Sequence, residues 1–225
     1  MRAFQVALVV AVLVLSSTAG FAGYIVNGSF EQPGVTDAMQ FFNGQTIGAG
    51  WKVLSGNTAY IVNNNANQGF TPFGAQFLEI HGDAVTQSIS NLVPGRTYDL
   101  SYFATAQSNA NYFGNGQILA SIAGRSDTFA YSLSGINSYG SVQLPWTFRR
   151  LRFTANSFDE LLTISGSGSL NSNPLAAIDN VSITAVPEPS SLLVALLLVA
   201  LGCVLRFTLP TRTMFAMRKM RGCNP

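Results

Sequence analysis

Apolar and polar residues alternate in short runs through the middle of this chain. Tyr98, Leu100, Tyr102 and Ala104 share one parity, with Asp99 and Ser101 among the residues between them. A period of two marks a strand with one face buried. Ile118, Ala120 and Ile122 repeat the pattern, as do Phe129, Tyr131 and Leu133. Further strands are predicted over Tyr24–Asn27, Trp51–Leu54, Ala59–Val62, Gln76–Ile80, Val85–Ser90, Leu161–Ser165 and Ala177–Ile183. There is one phase slip: Trp146 and Phe148 fall on even positions, Leu151 and Phe153 on odd ones. A bulge near Arg149–Arg150 would bring both pairs into one core. Loops are expected at Pro33–Ile47, Asn63–Gly74, Ser108–Gly116, Gly135–Pro145 and Gly166–Pro174.

No stretch between Gly23 and Ala185 sustains a helical period. Glycine, asparagine and serine supply 18, 16 and 18 of those 163 residues, and such a density of turn formers favours many short strands. About ten strands with no helices between them predict an all-β antiparallel sandwich or barrel. Both cysteines, Cys203 and Cys223, fall outside this body. Redox chemistry and cysteine-based zinc sites are therefore excluded from it, and at this length a core forms without disulfides.

Two apolar blocks, Ala3–Leu15 and Leu192–Leu205, raise the mean hydropathy to +0.28. The first follows Arg2 and precedes Ser-Ser-Thr-Ala-Gly-Phe-Ala. That is the layout of a secretory signal peptide over residues 1–22, cleaved before Gly23 or at an earlier site offered by Ser17 and Ala19. An uncleaved anchor is the alternative, but a run of thirteen residues is short for a span of about 20. The second block follows Val186-Pro187-Glu188-Pro189-Ser190-Ser191 and precedes Arg206, Arg212, Arg218, Lys219 and Arg221. Extended to Leu209, with Arg206 snorkelling, it reaches membrane length, and the trailing cations place the C-terminus in the cytoplasm.

That tail, residues 186–225, resembles the PEP-CTERM sorting signal of Gram-negative exoproteins. The resemblance implies that Pro187, Glu188 and Pro189 are the recognition motif and that the transmembrane helix holds the protein transiently in the inner membrane. It also implies an exosortase and the secretion machinery as partners, with the cell surface or extracellular matrix as destination. The chain departs from the pattern by running on to Pro225 with dispersed charges instead of ending at a tight arginine cluster. A plain tail anchor is the alternative.

The net charge of +2 conceals a body with six cations and nine anions. A nucleic-acid partner is therefore excluded, since phosphate backbones are met by clustered Lys and Arg. The only basic triplet, Arg149–Arg150–Arg152, is divided between two faces by strand alternation.

Motif order narrows the fold. Val26-Asn27-Gly28-Ser29-Phe30-Glu31 stands first, then Gly50-Trp51 and Ala59-Tyr60-Ile61. Gly74-Ala75-Gln76-Phe77-Leu78-Glu79-Ile80, Val85-Thr86-Gln87-Ser88-Ile89 and Leu92-Val93-Pro94-Gly95-Arg96-Thr97-Tyr98 follow, and Ala177-Ile178-Asp179-Asn180-Val181-Ser182-Ile183 comes last. Over Ile25–Thr184 this resembles the galactose-binding-like jelly roll of carbohydrate-binding modules. It is especially similar to plant cell-wall proteins of unknown function and their bacterial relatives. The resemblance implies extracellular association with glycans.

Catalytic constellations are sparse. His81 is the only histidine, so no multi-histidine metal site forms, and no G-x-S-x-G elbow accompanies it. As a residue of Ile80-His81-Gly82-Asp83, where a strand turns, it reads as structural. A glycosidase needs two facing carboxylates; neighbouring Asp159 and Glu160 point to opposite faces of a strand. Asp179 shares parity with Ala177, Val181 and Ile183, which predicts an inward-facing carboxylate, costly unless paired or metal-bound. The jelly-roll resemblance implies that Glu31 and Asp179 share a structural calcium, with Asn27 and Asn180 as further oxygen donors. Protonation, hydrogen bonding or pairing with Arg96 are the alternatives.

Ligand binding would rest on aromatic faces, on which sugar rings stack. Tyr112 with Asn111, in the run Asn109–Asn115, is the most site-like group, and Phe73 and Trp51 are further candidates, although Trp51 and Trp146 also suit a core. Phe41, Phe42, Phe70, Phe113 and Tyr139 complete the loop aromatics. The expectation is an exported, non-catalytic protein that binds polysaccharide. A structural exoprotein without a sugar site and a glycoside hydrolase are the alternatives.

Overall fold

The computed structural model describes residues 24–54, 58–66, 69–82, 84–109, 114–133, 141–167 and 174–187. The expected signal peptide and apolar tail, Glu188 and Pro189, and the Asn111–Tyr112 pair lie outside them. Among the described residues no helix is long and apolar enough to cross a membrane.

The body is an all-β sandwich. Its strands are β1 (Ala38–Phe42), β2 (Thr46–Ile47), β3 (Trp51–Val53), β4 (Thr58–Asn63), β5 (Gln76–His81), β6 (Ala84–Ile89) and β7 (Thr97–Asn109). They continue as β8 (Asn115–Ile122), β9 (Arg125–Ser132), β10 (Ser141–Gln143), β11 (Thr147–Thr154), β12 (Glu160–Gly166) and β13 (Leu175–Ala185), with one short 3-10 turn at Asn64–Ala66. A front sheet runs β1-β4-β5-β13-β7-β10, with β11 also on β7; a back sheet runs β2-β3-β6-β12-β8-β9. The chain passes between the sheets repeatedly, as from β5 to β6 and back to β7, so most pairings join segments distant in sequence.

The core lies between the sheets. The front sheet contributes Leu78, Ile80, Leu100, Tyr102, Ala104 and Ile178, the back sheet Trp51, Val85, Ile89, Ile118, Leu162 and Ile164. Each large apolar side chain buried this way stabilises the fold by about 1.5–3 kcal/mol. Trp51 is 0% exposed, tilted against Phe30 at 5.4 Å, with its indole N–H on the Asn27 carbonyl. It is a core residue and takes no part in a surface site. One side of the sandwich is closed by Arg149 of β11, which holds Asp127 of β9 while Tyr102 donates to the same carboxylate.

Four local expectations are corrected. Tyr24–Asn27 forms no strand: Asn27 adopts a left-handed φ of 52°, and the buried Gln87 amide grips Val26 N–H and C=O. The stretch expected as the Pro33–Ile47 loop contains β1 and β2, and the 135–145 loop contains β10. These strands lie at or near sheet edges, where alternation is not enforced by two buried neighbours. The β11–β7 register runs unbroken from Thr147↔Ala104 to Thr154↔Thr97, so no bulge sits at Arg149–Arg150. Phe148 simply faces the other way, 56% exposed, while Leu151 and Phe153 enter the core. A shift does occur in β13, between Asp179 and Ser182, with Asn180 at φ 51°. It puts Val181 and Ile183 in the core but leaves Asp179 on the opposite face with Ala177.

Candidate functional site

The front sheet has a second face, turned away from the core. Alternation places Tyr60 and Val62 of β4, Phe77, Glu79 and His81 of β5, and Ala177 and Asp179 of β13 on it. Phe103, Thr105 and Gln107 of β7 and Phe148 of β11 extend it. Registry aligns Tyr60 with Glu79, Glu79 with Ala177, Ala177 with Thr105, and Phe103 with Phe148. The small Ala177 at the centre leaves room above the sheet. The β4–β5 and β10–β11 connections partly fill it: Ala66 of the first and Trp146 of the second pack on Val62, Phe77 and Ala177 in a separate small apolar cluster.

Aromatic rings dominate one end. Phe73 lies on Phe103 with centroids 3.9 Å apart and meets Trp146 edge-on at 6.0 Å. Trp146 contacts Phe77 at 5.8 Å, and Phe103 contacts Phe148 at 5.3 Å. Phe70, 59% exposed, is fixed through its backbone. Its N–H and C=O are both bound by the Gln143 amide at 2.9 Å, and its C=O also takes the Trp146 indole N–H at 2.7 Å. Phe73, Phe103 and Trp146 are half-buried and Phe148 and Phe70 stand out from the surface. The result is a braced, partly exposed aromatic platform.

Polar groups occupy the middle. Glu79, His81 and Gln107 are all buried, with His81 Nε2 on Glu79 at 2.7 Å and Gln107 Nε2 on Glu79 at 3.1 Å. His81 is thus the last residue of β5 and a buried one, not a loop residue. Asp179 is 0% exposed. It accepts from the Thr71 hydroxyl at 2.5 Å and from its neighbour's N–H, that of Asn180, at 2.6 Å. Burial pushes its carboxyl up to about 7, the two hydrogen bonds oppose the rise, and the nearby charge of Glu31 adds to it. Glu31 in turn accepts from the N–H groups of Ala75 and Gln76.

Glu31 and Asp179 are therefore brought within electrostatic range of each other. Two mutually repelling carboxylates, one wholly buried, match the acidic part of an oxygen-lined cation site. Asn27 does not fit as a ligand, because its amide is consumed by both backbone groups of Gln32, and the Asn180 side chain is exposed. No group of three or more His, Cys, Asp or Glu gathers among the described residues.

Of the aromatic candidates, Phe73 belongs to the platform, Phe41 is buried, and Phe42 is exposed on β1. Tyr112, Asn111, Phe113 and Tyr139 lie outside the described residues. Phe103, Phe148 and Gln143 were not anticipated as site residues. The signal for Phe148 was present in the parity conflict with Leu151 and Phe153, which separates two faces of one strand.

The profile of a family described as "Protein of unknown function (DUF642)" matches residues 23–184. No curated protein matches the chain. Among solved structures, a cyclase from Fischerella sp. TAU is similar at 13% identity and a TM-score of 0.49, over 74% of this chain and 97% of its own. The CBM22-1 xylan-binding domain of Xyn10C from Paenibacillus barcinonensis is similar at 14% identity and 0.40, over 67% and 94%. The arabinose-bound α-L-arabinofuranosidase MgGH51 is similar at 15% identity and 0.47, over 73% of this chain; the chain spans 26% of that enzyme.

Proposed function

The chain belongs to the DUF642 family of proteins of unknown function, and on that footing we propose that it is an exported, non-catalytic protein that binds polysaccharide on the outer face of its front sheet. The observation that carries the reading is the platform of Phe70, Phe73, Phe103, Trp146 and Phe148. Rings left half-exposed and braced from behind offer flat apolar faces to sugar rings at little cost in ordering. Glu31 and Asp179 would hold a calcium ion as a structural cofactor, its charge offsetting that of the buried acid. In the same reading the N-terminal segment exports the chain. Pro187, Glu188 and Pro189 with the apolar run behind them then hold it at the inner membrane for an exosortase.

The test is affinity electrophoresis of the full-length chain in gels containing xylan, arabinan, galactan or β-glucan. At least one polysaccharide should retard it. Phe148→Ala and Phe70→Ala should each weaken that retardation by about 1–3 kcal/mol, with the melting temperature nearly unchanged because neither ring is buried. Retardation indifferent to both substitutions would move the site elsewhere. Release of reducing ends from the bound polysaccharide would end the non-catalytic reading.

A further inference from the structure

Past Phe103 and Phe148 the outer face of the front sheet changes from aromatic to polar and cationic. The β11–β7 register sets Phe148 opposite Phe103, then Arg150 opposite Ser101, then Arg152 opposite Asp99. Leu151 and Phe153 enter the core, so Phe148, Arg150 and Arg152 share the outward parity. Side chains two residues apart on one face of a strand stand about 6.6 Å apart, which puts Arg150 one step from the exposed ring. β13 completes the row. Its Ser182 pairs with Ser101, and their hydroxyls meet at 2.8 Å.

Pairing within the fold does not use all of this charge. Arg152 grips both oxygens of Asp99, Nε on Oδ1 at 2.9 Å and Nη2 on Oδ2 at 3.2 Å, the forked geometry that satisfies a carboxylate. Its hydrogen bonds are also the main reason that the Asp99 carboxyl lies at about 2, against the opposing effect of burial. Arg150 adds a bond from Nη2 to the same Oδ2, and with it a second positive charge against one negative. Its side chain stays 52% exposed, and among the described residues Asp99 is its one acceptor. The half-buried hydroxyl pair is likewise only partly used. Each hydroxyl carries one proton; one is spent between the two, and the other is left to donate. The body carries six cations against nine anions, so this surplus of positive charge is local.

We infer that this row is a subsite for a uronic acid unit, which makes the ligand of the platform an acidic polysaccharide. A sugar ring stacked on Phe148 places the next unit of its chain over Arg150. The guanidinium takes the carboxylate of that unit, and the Ser101–Ser182 pair donates to one of its other oxygens. Asp99 already restrains Arg150, so less side-chain freedom is lost on binding. The inference rests on the polysaccharide reading above and names the class of polymer that reading leaves open. An aromatic face does not separate a uronic acid from the neutral sugar of the same shape; a guanidinium beside it does.

Calorimetric titration of the full-length chain separates the two levels. The probes are oligogalacturonides and glucuronoxylan oligomers, each paired with its carboxyl-reduced counterpart of equal length. At low salt the acidic member of at least one pair should bind about 2- to 5-fold more tightly, the range of one exposed ion pair. That advantage should shrink as salt is added. Arg150→Gln should erase it, with the melting temperature close to wild type because Arg152 still holds Asp99. Arg150→Lys should keep part of it, and Phe148→Ala should weaken both members alike. Equal binding of both members by the wild type, still dependent on Phe148, overturns the subsite and leaves the platform standing. An acid preference that survives Arg150→Gln overturns it too, since another group then reads the carboxylate. An Arg150-dependent preference for phosphatidylserine over phosphatidylcholine vesicles, with none within the sugar pairs, overturns it in favour of lipid headgroups. No binding by any oligomer removes platform and subsite together.

Discussion

Asp179→Asn asks whether the buried acid beside Glu31 is poised for a cation. Its carboxyl is raised from 3.8 to about 7, chiefly by burial. A carboxyl raised on folding takes up a proton between those two values. Its contribution to stability is therefore full below about pH 4 and lost as pH rises through about 7. Three units correspond to about 4 kcal/mol, and for a body of this size to a fall in melting temperature of about 8–16 °C. Asparagine keeps an oxygen for the Thr71 hydroxyl or the Asn180 N–H and carries no charge. In chelator, wild-type melting temperatures measured from pH 4 to pH 8 should fall by up to that amount, and those of the variant should not. At pH 8 the variant should be the more stable protein. Millimolar calcium should restore the wild type and leave the variant where it was, inverting their order. A wild-type curve that is flat with pH in chelator would show that Asp179 is not a strained acid. A curve that moves with pH but ignores calcium would refute the cation site while leaving the burial argument intact.

Asp99 should show the opposite dependence: Arg152 and Arg150 hold its carboxyl down at about 2, so its contribution is present above pH 4 and lost as pH falls through that value. Both arginines are about half exposed, which limits the effect to about 1 kcal/mol; Asp99→Asn should flatten acid melting between pH 4 and 2, and an unchanged acid limb would refute the pairing. Gly28→Ala should destabilise by about 1–3 kcal/mol, because the added Cβ would stand 2.0 Å from the Val181 carbonyl oxygen, whereas Gly34, with nothing within 4 Å, should tolerate alanine. Equal melting temperatures for the two glycine variants would refute that close approach.

The strands that build the centre of each sheet were legible because two neighbours enforce their alternation. Tyr98–Ala104, Ile118–Ile122 and Leu161–Ser165 carry their pattern whole, and each lies within an observed strand. β1, β2 and β10 were hidden, since short strands near an edge have no such constraint. Parity failed where the backbone changes phase. Asp179 reads as inward from Val181 and Ile183, and only the shift at Asn180 reveals that it faces outward. Trp146 and Phe148 carried the inverse error. Their conflict with Leu151 and Phe153 reads as a bulge in one core, whereas the strand is regular and has aromatic residues on both faces. The hub at Glu79 could not be read at all, because Gln107 reaches it from 28 residues away across an intervening strand.

The two outer faces of the sandwich separate scaffold from site. On the back sheet that face carries Thr86 and Ser88 of β6, Ser121 of β8, and Thr163 and Ser165 of β12, the small polar residues expected where a sheet meets water. Leu161, 58% exposed, stands there singly, and such a residue needs no further account. On the front sheet the equivalent positions hold Phe77, Phe103 and Phe148 beside Glu79, His81, Gln107 and Asp179. A solvated surface does not require buried acids, and a core does not gain from them. The residues between 64 and 75 reinforce the distinction: Thr71 bonds to Asp179, Phe73 stacks on Phe103, and Gly69 closes over Gln107. A connection lying over its own sheet excludes water from that face and strengthens every electrostatic interaction beneath it. Partly exposed aromatic rings and a buried carboxylate thus lie on one side of one sheet, and that is what supports placing the proposed polysaccharide site on the front face.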